Sequence, residues 1–154
     1  MSSADNRFEL RFSTNVSTDP QAAMAAFAKP ARWWDPAHTY SASASNLTMD
    51  LVPGGCFCER LPEGGGIEHL RVTYVDPGKR IVLTGSLGPL LYMATIGVMD
   101  VQFKPAAGGS EVTVDYKVSG FASGGAAKIA PLVDGVLAKL IDRYRAAASD
   151  GVKR

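Results

Sequence analysis

A carboxylate and an imidazole stand on the two arms of a predicted β-hairpin. Glu59 precedes the glycine-rich turn 62–66, and Glu68 and His69 follow it. A hairpin centred on Gly64 brings position 58 or 59 opposite His69. A carboxylate beside an imidazole is what general acid–base chemistry requires. Glu59 and His69 are therefore candidate catalytic residues.

The same cluster also fits an ordinary solvated pair of strands. Arg60 and Arg71 lie nearby and would neutralise the carboxylates as cross-strand pairs. The sequence contains no GxSxG elbow, HExxH, GxGxxG or phosphate-binding loop. Two histidines do not supply a nucleophile, a base and an orienting group, so the catalytic and the structural interpretations both stay open.

Cys56 and Cys58 are the only cysteines. Two positions apart on a strand, they share a face, and strand rise puts their α-carbons about 6.5 to 7 Å apart, at or beyond the usual upper limit for an unstrained disulfide. With His69 opposite and His38 as a speculative fourth ligand, they are candidate zinc ligands. A one-residue change of register would move His69 to the other face. The alternative is two small core or cavity residues, and no cofactor is predicted.

An aromatic group follows the predicted short helices. Trp33, Trp34, His38 and Tyr40 combine apolar rings with polar tips, which suits contact with a ligand. The alternative is that one tryptophan anchors the short helix to the core while the other is partly exposed.

Two further residues complete the candidate ligand site. Met93 ends an apolar cluster after Gly88-Pro89, which is either a loop over a cavity entrance or the start of a strand. Tyr116 lies on the apolar face of its segment, so its hydroxyl needs a buried partner or a water. The predicted ligand contacts are Trp34, His38, Tyr40, His69, Met93 and Tyr116.

Hydrophobic periodicity predicts the elements that position these residues. Asp19-Pro20 starts a short helix, Pro30 ends it, and a second short helix precedes Pro36. Period-two alternation and turn signals predict seven strands, at 8–12, 47–51, 56–61, 67–75, 80–85, 95–104 and 111–119.

The last segment changes to a helical period. Apolar residues from Ile129 to Tyr144 recur at three and four positions, and Pro131 and Gly135 predict a bend. The order defines an α+β fold: a curved antiparallel sheet of about seven strands around a long C-terminal helix, with two short helices after the first strand. One helix, roughly 30 Å long, cannot cover such a sheet. We expect an internal cavity between them.

Length and charge restrict the class of protein. The chain has 154 residues, 46% of them hydrophobic, with 16 Lys+Arg against 15 Asp+Glu. One domain, 1–154 with its core at about 8–145, is predicted. The near-zero net charge gives no basis for nucleic-acid binding. The uncharged stretch 81–99 is broken by glycines and Pro89, so membrane insertion is not predicted.

The N-terminal residues bear on the compartment. Met1 to Arg7 is polar and lacks the basic and apolar regions of a secretory signal. We expect a cytoplasmic protein, with a mature periplasmic form as the alternative. Whether two chains associate as a homodimer is left open.

The element order and four motifs resemble the START/Bet v 1-like (SRPBCC) superfamily. The motifs are the tryptophan pair Trp33-Trp34, the run Trp34 to Ser41, the segment Pro53 to Glu59 and the turn Val75 to Arg80. Within the superfamily, the chain is most similar to the branch of the activator of Hsp90 ATPase and the polyketide cyclases. The resemblance covers about Phe8 to Arg145.

The resemblance implies a helix-grip fold whose cavity holds mostly apolar ligands. The predicted function is therefore binding of an apolar or amphipathic small molecule or lipid between the sheet and the C-terminal helix. Two alternatives stay open. One is a cyclase- or hydrolase-like enzyme using His69 or Glu59 as acid or base, and the other is an interaction protein that acts on a chaperone ATPase.

Overall fold

A single antiparallel sheet forms most of the fold. The computed structural model describes residues 1–150. The sheet has eight strands in the spatial order β1-β2-β8-β7-β6-β5-β4-β3. They are β1 (Ser2–Ala4), β2 (Arg7–Val16), β3 (Leu47–Met49), β4 (Cys56–Arg60), β5 (Gly66–Asp76), β6 (Arg80–Gly85), β7 (Ile96–Ala106) and β8 (Gly109–Ser119).

The seven predicted strands are all present, and β1 is an addition. It pairs with the start of β2, with Ala4 opposite Arg7. The residues of β1 do not alternate between large apolar and polar side chains, so the sequence pattern did not reveal it. The long strands follow the predicted alternation. In β8, for example, Val112, Val114 and Val118 are buried on the face that meets the C-terminal helix.

Two α-helices pack on the concave side of the sheet. The first, α1 (Pro20–Phe27), is capped by Asp19, whose side chain accepts a hydrogen bond from the Ala22 amide at 2.8 Å. The second, α2 (Gly125–Asp150), is the long C-terminal helix and contains Pro131. Within residues 1–150, no helix is both long and apolar enough to cross a membrane.

The second predicted short helix is present as a 3₁₀ helix rather than an α-helix. The chain after α1 forms 3₁₀ turns at Pro30–Arg32, Pro36–His38 and Ala44–Asn46. Proline starts the first two turns, and a residue before proline disfavours helical backbone, so no α-helix can run through 30–38. The second short helix is therefore a single 3₁₀ turn, Pro30–Arg32.

The helix α2 fixes the position of the chain that follows α1. The Tyr144 hydroxyl donates to the carbonyl of Ala23 at 2.8 Å, and Arg143 Nε donates to the carbonyl of Trp33 at 2.8 Å. The Trp33 ring packs against Tyr144 and Phe27, with centroids 5.5 and 5.4 Å away. These contacts hold the tryptophan pair between sheet and helix, as in a helix-grip fold.

Candidate functional site

A β-bulge in β5 turns His69 toward the interior. Phe57 of β4 pairs with Leu70, but the next residue, Cys58, pairs with Glu68, so His69 is an extra residue with no partner of its own. As a result, His69 and Leu70 are both buried although they are consecutive. Regular alternation would have sent one of them to the outer face.

The bulge places the imidazole of His69 against the carboxylate of Glu59. The Nε2 atom of His69 lies 2.8 Å from Oε1 of Glu59, and the two residues are 5% and 1% exposed. The backbone amide of Tyr40 donates to the same oxygen at 3.2 Å, and the amide of Ser41 donates to Oε2 at 2.6 Å. The carboxylate thus ties the 36–41 loop to the hairpin.

These hydrogen bonds keep Glu59 ionised. Burial alone would raise the pKa of the carboxyl group, but the hydrogen bonds from Ser41, His69 and Tyr40 outweigh it and hold the pKa below its ordinary value. An ionised Glu59 can only accept, so Nε2 of His69 carries the proton in their shared hydrogen bond. The tautomer of a neutral His69 is therefore fixed, with Nδ1 unprotonated.

His69 lines a cavity of about 490 Å³ at one end of the fold. One wall is the first half of α2, and the opposite wall is the 3₁₀ turn Gly88–Tyr92 together with the 34–40 loop. The surface is mainly apolar and aromatic. The lining residues are Trp34, His38, Thr39, Tyr40, His69, Leu87, Gly88, Pro89, Tyr92, Ile129, Leu132, Val133, Val136, Leu137 and Leu140.

The middle of the fold is nearly filled. A second, wholly apolar recess there has a volume of about 20 Å³, which is close to the space of one water molecule. Trp34, Leu137 and Leu140 border both spaces. The expected gap between sheet and helix is thus confined to one end, because Trp33, Phe27 and Tyr144 pack the rest.

Tyr40 and the Gly88–Tyr92 turn meet at the cavity entrance. The Tyr40 hydroxyl donates to the carbonyl of Gly88 at 3.1 Å, and its ring centroid lies 5.8 Å from that of His69. Burial, followed by the nearby Tyr92 hydroxyl, raises the pKa of Tyr40 above its ordinary value. Tyr92 is 78% exposed and Leu132 of α2 is 66% exposed, so the entrance has an apolar rim.

Four of the six predicted ligand contacts line this cavity: Trp34, His38, Tyr40 and His69. Trp34 also donates from Nε1 to the carbonyl of His38 at 3.0 Å, which closes the 34–38 loop. Trp33, in contrast, is buried and anchors the segment after α1. One tryptophan anchors and the other borders the cavity.

Met93 and Tyr116 do not line the cavity. Met93 ends the Gly88–Tyr92 turn and is partly exposed. Tyr116 is fully buried, and its hydroxyl accepts from the amide of Leu87 at 3.3 Å. Burial raises the pKa of Tyr116 to about 12. This hydrogen bond holds the chain where it enters the Gly88–Tyr92 turn. The Leu87 amide is thus the buried partner that the sequence analysis expected for the Tyr116 hydroxyl.

The proposed zinc ligands do not converge. Phe57 and Glu59 are buried on the inner face, so Cys56 and Cys58 project from the outer face, whereas His69 points inward. His38 lies at the cavity, also away from the cysteines. Among residues 1–150, no cluster of three or more ligating side chains is suited to a metal ion.

The prediction that the spacing of the cysteines is poor for a disulfide is also wrong. Cys56 and Cys58 form a disulfide, with α-carbons 5.3 Å apart. This is shorter than a fully extended strand gives, and it occurs where the pairing with β5 shifts register. The estimate from strand rise assumed a regular strand, which β4 is not at this point.

Sequence reasoning named no cavity contact on α2, although it placed the ligand between the sheet and this helix. Ile129, Val133 and Val136 of the predicted apolar stripe face the cavity. The stripe alone did not show which of its residues border the cavity and which pack in the core. The role of Glu59 in binding the Tyr40 and Ser41 amides had no sequence signal, since amide donors carry no residue identity.

Comparisons with known proteins support the fold. No protein-family model matches the chain, and no curated protein matches it. Solved structures do match. An uncharacterised protein from Rhizobium leguminosarum has 18% identity and a TM-score of 0.68, over 94% of this chain and 96% of that one. A protein of unknown function from Staphylococcus aureus has 13% identity and a TM-score of 0.67, over 97% and 98% of the two chains.

A third similar structure has a printed role. It is the di-domain aromatase/cyclase StfQ of the steffimycin biosynthetic pathway, at 15% identity and a TM-score of 0.63. The match covers 97% of this chain and 53% of StfQ. At identities this low, the structural similarity shows a shared fold only, and the activity has to be argued from the site.

Proposed function

We propose that this protein binds an apolar or amphipathic small molecule in the cavity between the sheet and α2. The observation that carries the proposal is the cavity of about 490 Å³, whose volume lies in the range of small-molecule sites. The walls are mostly aliphatic and aromatic, and the polar side chains of the lining are His38, Thr39, Tyr40, His69 and Tyr92. Membership of the START/Bet v 1-like superfamily is part of the same proposal, supported by the fold and the quoted motifs.

The driving force for such binding is removal of apolar surface from water. Each square ångström of apolar surface buried contributes about 25 cal/mol. The side chains of Ile129, Val133 and Val136 are only partly covered by protein, so a ligand would complete their burial. A flat ring would in addition contact the aromatic faces of Trp34 and Tyr40.

A cavity-filling substitution tests this proposal. Val136→Trp places an indole in the cavity, and Val52→Trp puts the same side chain on an exposed loop away from it. With 1-aminoanthracene as a fluorescent apolar probe, we expect saturable binding to the wild type and to Val52→Trp, and at least about tenfold weaker binding to Val136→Trp. Equal affinity in all three proteins, or no binding to the wild type, would contradict the proposal.

A second candidate function is acid–base catalysis of a cyclase- or hydrolase-like reaction. The contact between Glu59 and His69 favours it, because a buried carboxylate that orients an imidazole in a cavity is the arrangement of a general base. Aromatic polyketides and esters are the substrates to assay. Turnover that persists unchanged in His69→Ala would remove His69 from the mechanism.

A further inference from the structure

The cavity presents one polar atom whose hydrogen-bonding role is set by the fold. Nε2 of His69 donates to Glu59, and no side chain or backbone group within residues 1–150 hydrogen-bonds Nδ1. In that part of the chain, Thr18 Oγ1 is the one side-chain nitrogen or oxygen that is fully buried without a hydrogen-bond partner. Because Nδ1 of His69 also has no partner, it is not fully buried and is open to the cavity. His69 lines the cavity, so Nδ1 is its polar contact for a ligand.

The lone pair of Nδ1 selects a ligand that donates a hydrogen bond. A neutral imidazole with its proton on Nε2 can only accept at Nδ1. The cavity lining contains no lysine or arginine. A permanently charged anion would therefore meet the negative charge of Glu59 behind the ring and find no fixed cation. A neutral hydroxyl matches the neutral ring as it stands, whereas a carboxylate or phosphate would bind only with a further proton on Nδ1.

The dyad also stabilises transfer of the proton. When a ligand hydroxyl gives its proton to Nδ1, the O–H bond breaks, an N–H bond forms, and the electron pair stays on the ligand oxygen. The resulting imidazolium lies 2.8 Å from the ionised Glu59, so its positive charge is paired inside the protein. No oxidant or other reactant is needed.

We infer that the ligand is a planar compound with an acidic hydroxyl, a phenol or an enol, which binds with its oxygen at Nδ1 of His69 and gives up its proton there. This rests on the proposed function and names its ligand class. The rings of Trp34 and Tyr40 supply flat contact surfaces beside the dyad. Glu59 acts as a positioning residue, since it touches His69 and not the ligand.

Other titratable groups near His69 are few. Tyr40 and Glu59 contact or adjoin it, and the remaining neighbouring ring is the apolar Phe57, at a centroid distance of 5.3 Å. His38 and Tyr92 line the same cavity. Because these groups can also respond to pH, the ionisation of a bound ligand has to be measured against pH in both the wild type and a His69 variant, and the two curves compared.

The test uses 4-nitrophenol, whose phenolate absorbs visible light, and 4-nitroanisole, its methyl ether without the acidic proton. The proteins are the wild type, His69→Gln, and Glu68→Gln as a control that removes an exposed carboxylate from the adjacent position of β5. We expect bound 4-nitrophenol to be ionised at lower pH on the wild type and on Glu68→Gln than on His69→Gln. A shift of about one pKa unit in the bound phenol corresponds to a tenfold change in its ratio of phenolate to phenol.

Each outcome decides something. Equal ionisation of the bound phenol on wild type and His69→Gln, with 4-nitroanisole bound equally, would overturn the inference and leave the proposed function standing. Failure of both probes and of 1-aminoanthracene to bind would overturn both. If His69→Gln does not fold, ¹⁵N NMR of the wild type replaces it: 4-nitrophenol, and not 4-nitroanisole, must bring both His69 nitrogens to imidazolium shifts.

Discussion

The hydroxyl of Tyr40 donates a hydrogen bond to the carbonyl of Gly88 across the cavity entrance, at 3.1 Å. The two residues lie in different loops, and Tyr40 is also bound through its amide to Glu59. The contact therefore links the entrance to the hydrogen-bonded pair Glu59–His69. Loss of the hydroxyl is expected to loosen the entrance without disturbing the core.

Tyr40→Phe should change ligand exchange more than stability. Tyr40 is 41% exposed, so removing one hydrogen bond should lower the free energy of unfolding by less than about 1 kcal/mol. The rates of 1-aminoanthracene binding and release, measured by stopped flow, should both rise. Tyr74→Phe is the matched control, since Tyr74 is similarly exposed and lies outside the cavity lining. Unchanged rates in Tyr40→Phe would show that the contact does not restrict entry.

Glu59→Gln should destabilise the fold. The substitution keeps the shape but puts an amide nitrogen where one of the donors from Tyr40, Ser41 or His69 now points. Loss of a buried charged acceptor costs about 2 kcal/mol, measurable by urea unfolding at neutral pH. Glu68→Gln should change stability by less than about 0.5 kcal/mol, since that carboxylate is exposed. Equal effects would contradict the role assigned to Glu59.

The destabilisation by Glu59→Gln should depend on pH. Because the folded protein holds the pKa of Glu59 below its ordinary value of 4.5, the ionised group stabilises the fold above that value. The contribution is lost as the pH falls through the lower pKa of the folded state. The difference between wild type and Glu59→Gln in unfolding free energy should therefore shrink below about pH 4.5. A difference that stays constant down to pH 3 would refute this account.

Gly97→Ala and Gly135→Ala should have opposite effects. A β-carbon at Gly97 would lie 2.7 Å from the carbonyl oxygen of Gly85 and 2.8 Å from the hydroxyl of Tyr116. Overpacking of this kind costs about 1 to 3 kcal/mol. At Gly135, in α2, nothing lies within 4 Å, and alanine should stabilise the helix by up to about 1 kcal/mol. Chemical denaturation of both variants checks the two signs.

Gly97→Ala has a second expected effect. The Tyr116 hydroxyl that it displaces accepts from the amide of Leu87, a cavity-lining residue. Affinity for 1-aminoanthracene should fall in Gly97→Ala and stay unchanged in Gly135→Ala. Loss of stability with full affinity would mean that Tyr116 does not support the cavity wall.

The regular parts of the fold were predictable because their patterns are periodic. Val112, Val114 and Val118 alternate over a full strand, and Leu137, Leu140 and Tyr144 recur with helical spacing. A strand pattern gives the face of a residue only while the pairing stays in register. The bulge at His69 breaks that condition, so the direction of the imidazole did not follow from the sequence.

The irregular segments show a different limit. The loop 36–41 is held by the carboxylate of Glu59, which is 18 positions from Ser41 along the chain. Such a contact depends on how distant segments pack together, so no local sequence pattern predicts it. The Cys56–Cys58 disulfide was missed for a related reason, because spacing on an ideal strand does not describe a strand that is locally contracted.

The extra residue in β5 has a consequence for how this chain tolerates insertions and deletions. Removing one residue between Glu68 and Arg71 would restore an ordinary pleat, and the interior would then keep either the imidazole or the leucine, but never both. The apolar side chain of Leu70 and the imidazole of His69 both face the interior only because β5 carries this extra residue. Loss of the extra residue would make the strand regular and remove one of these two side chains from the cavity end of the interior.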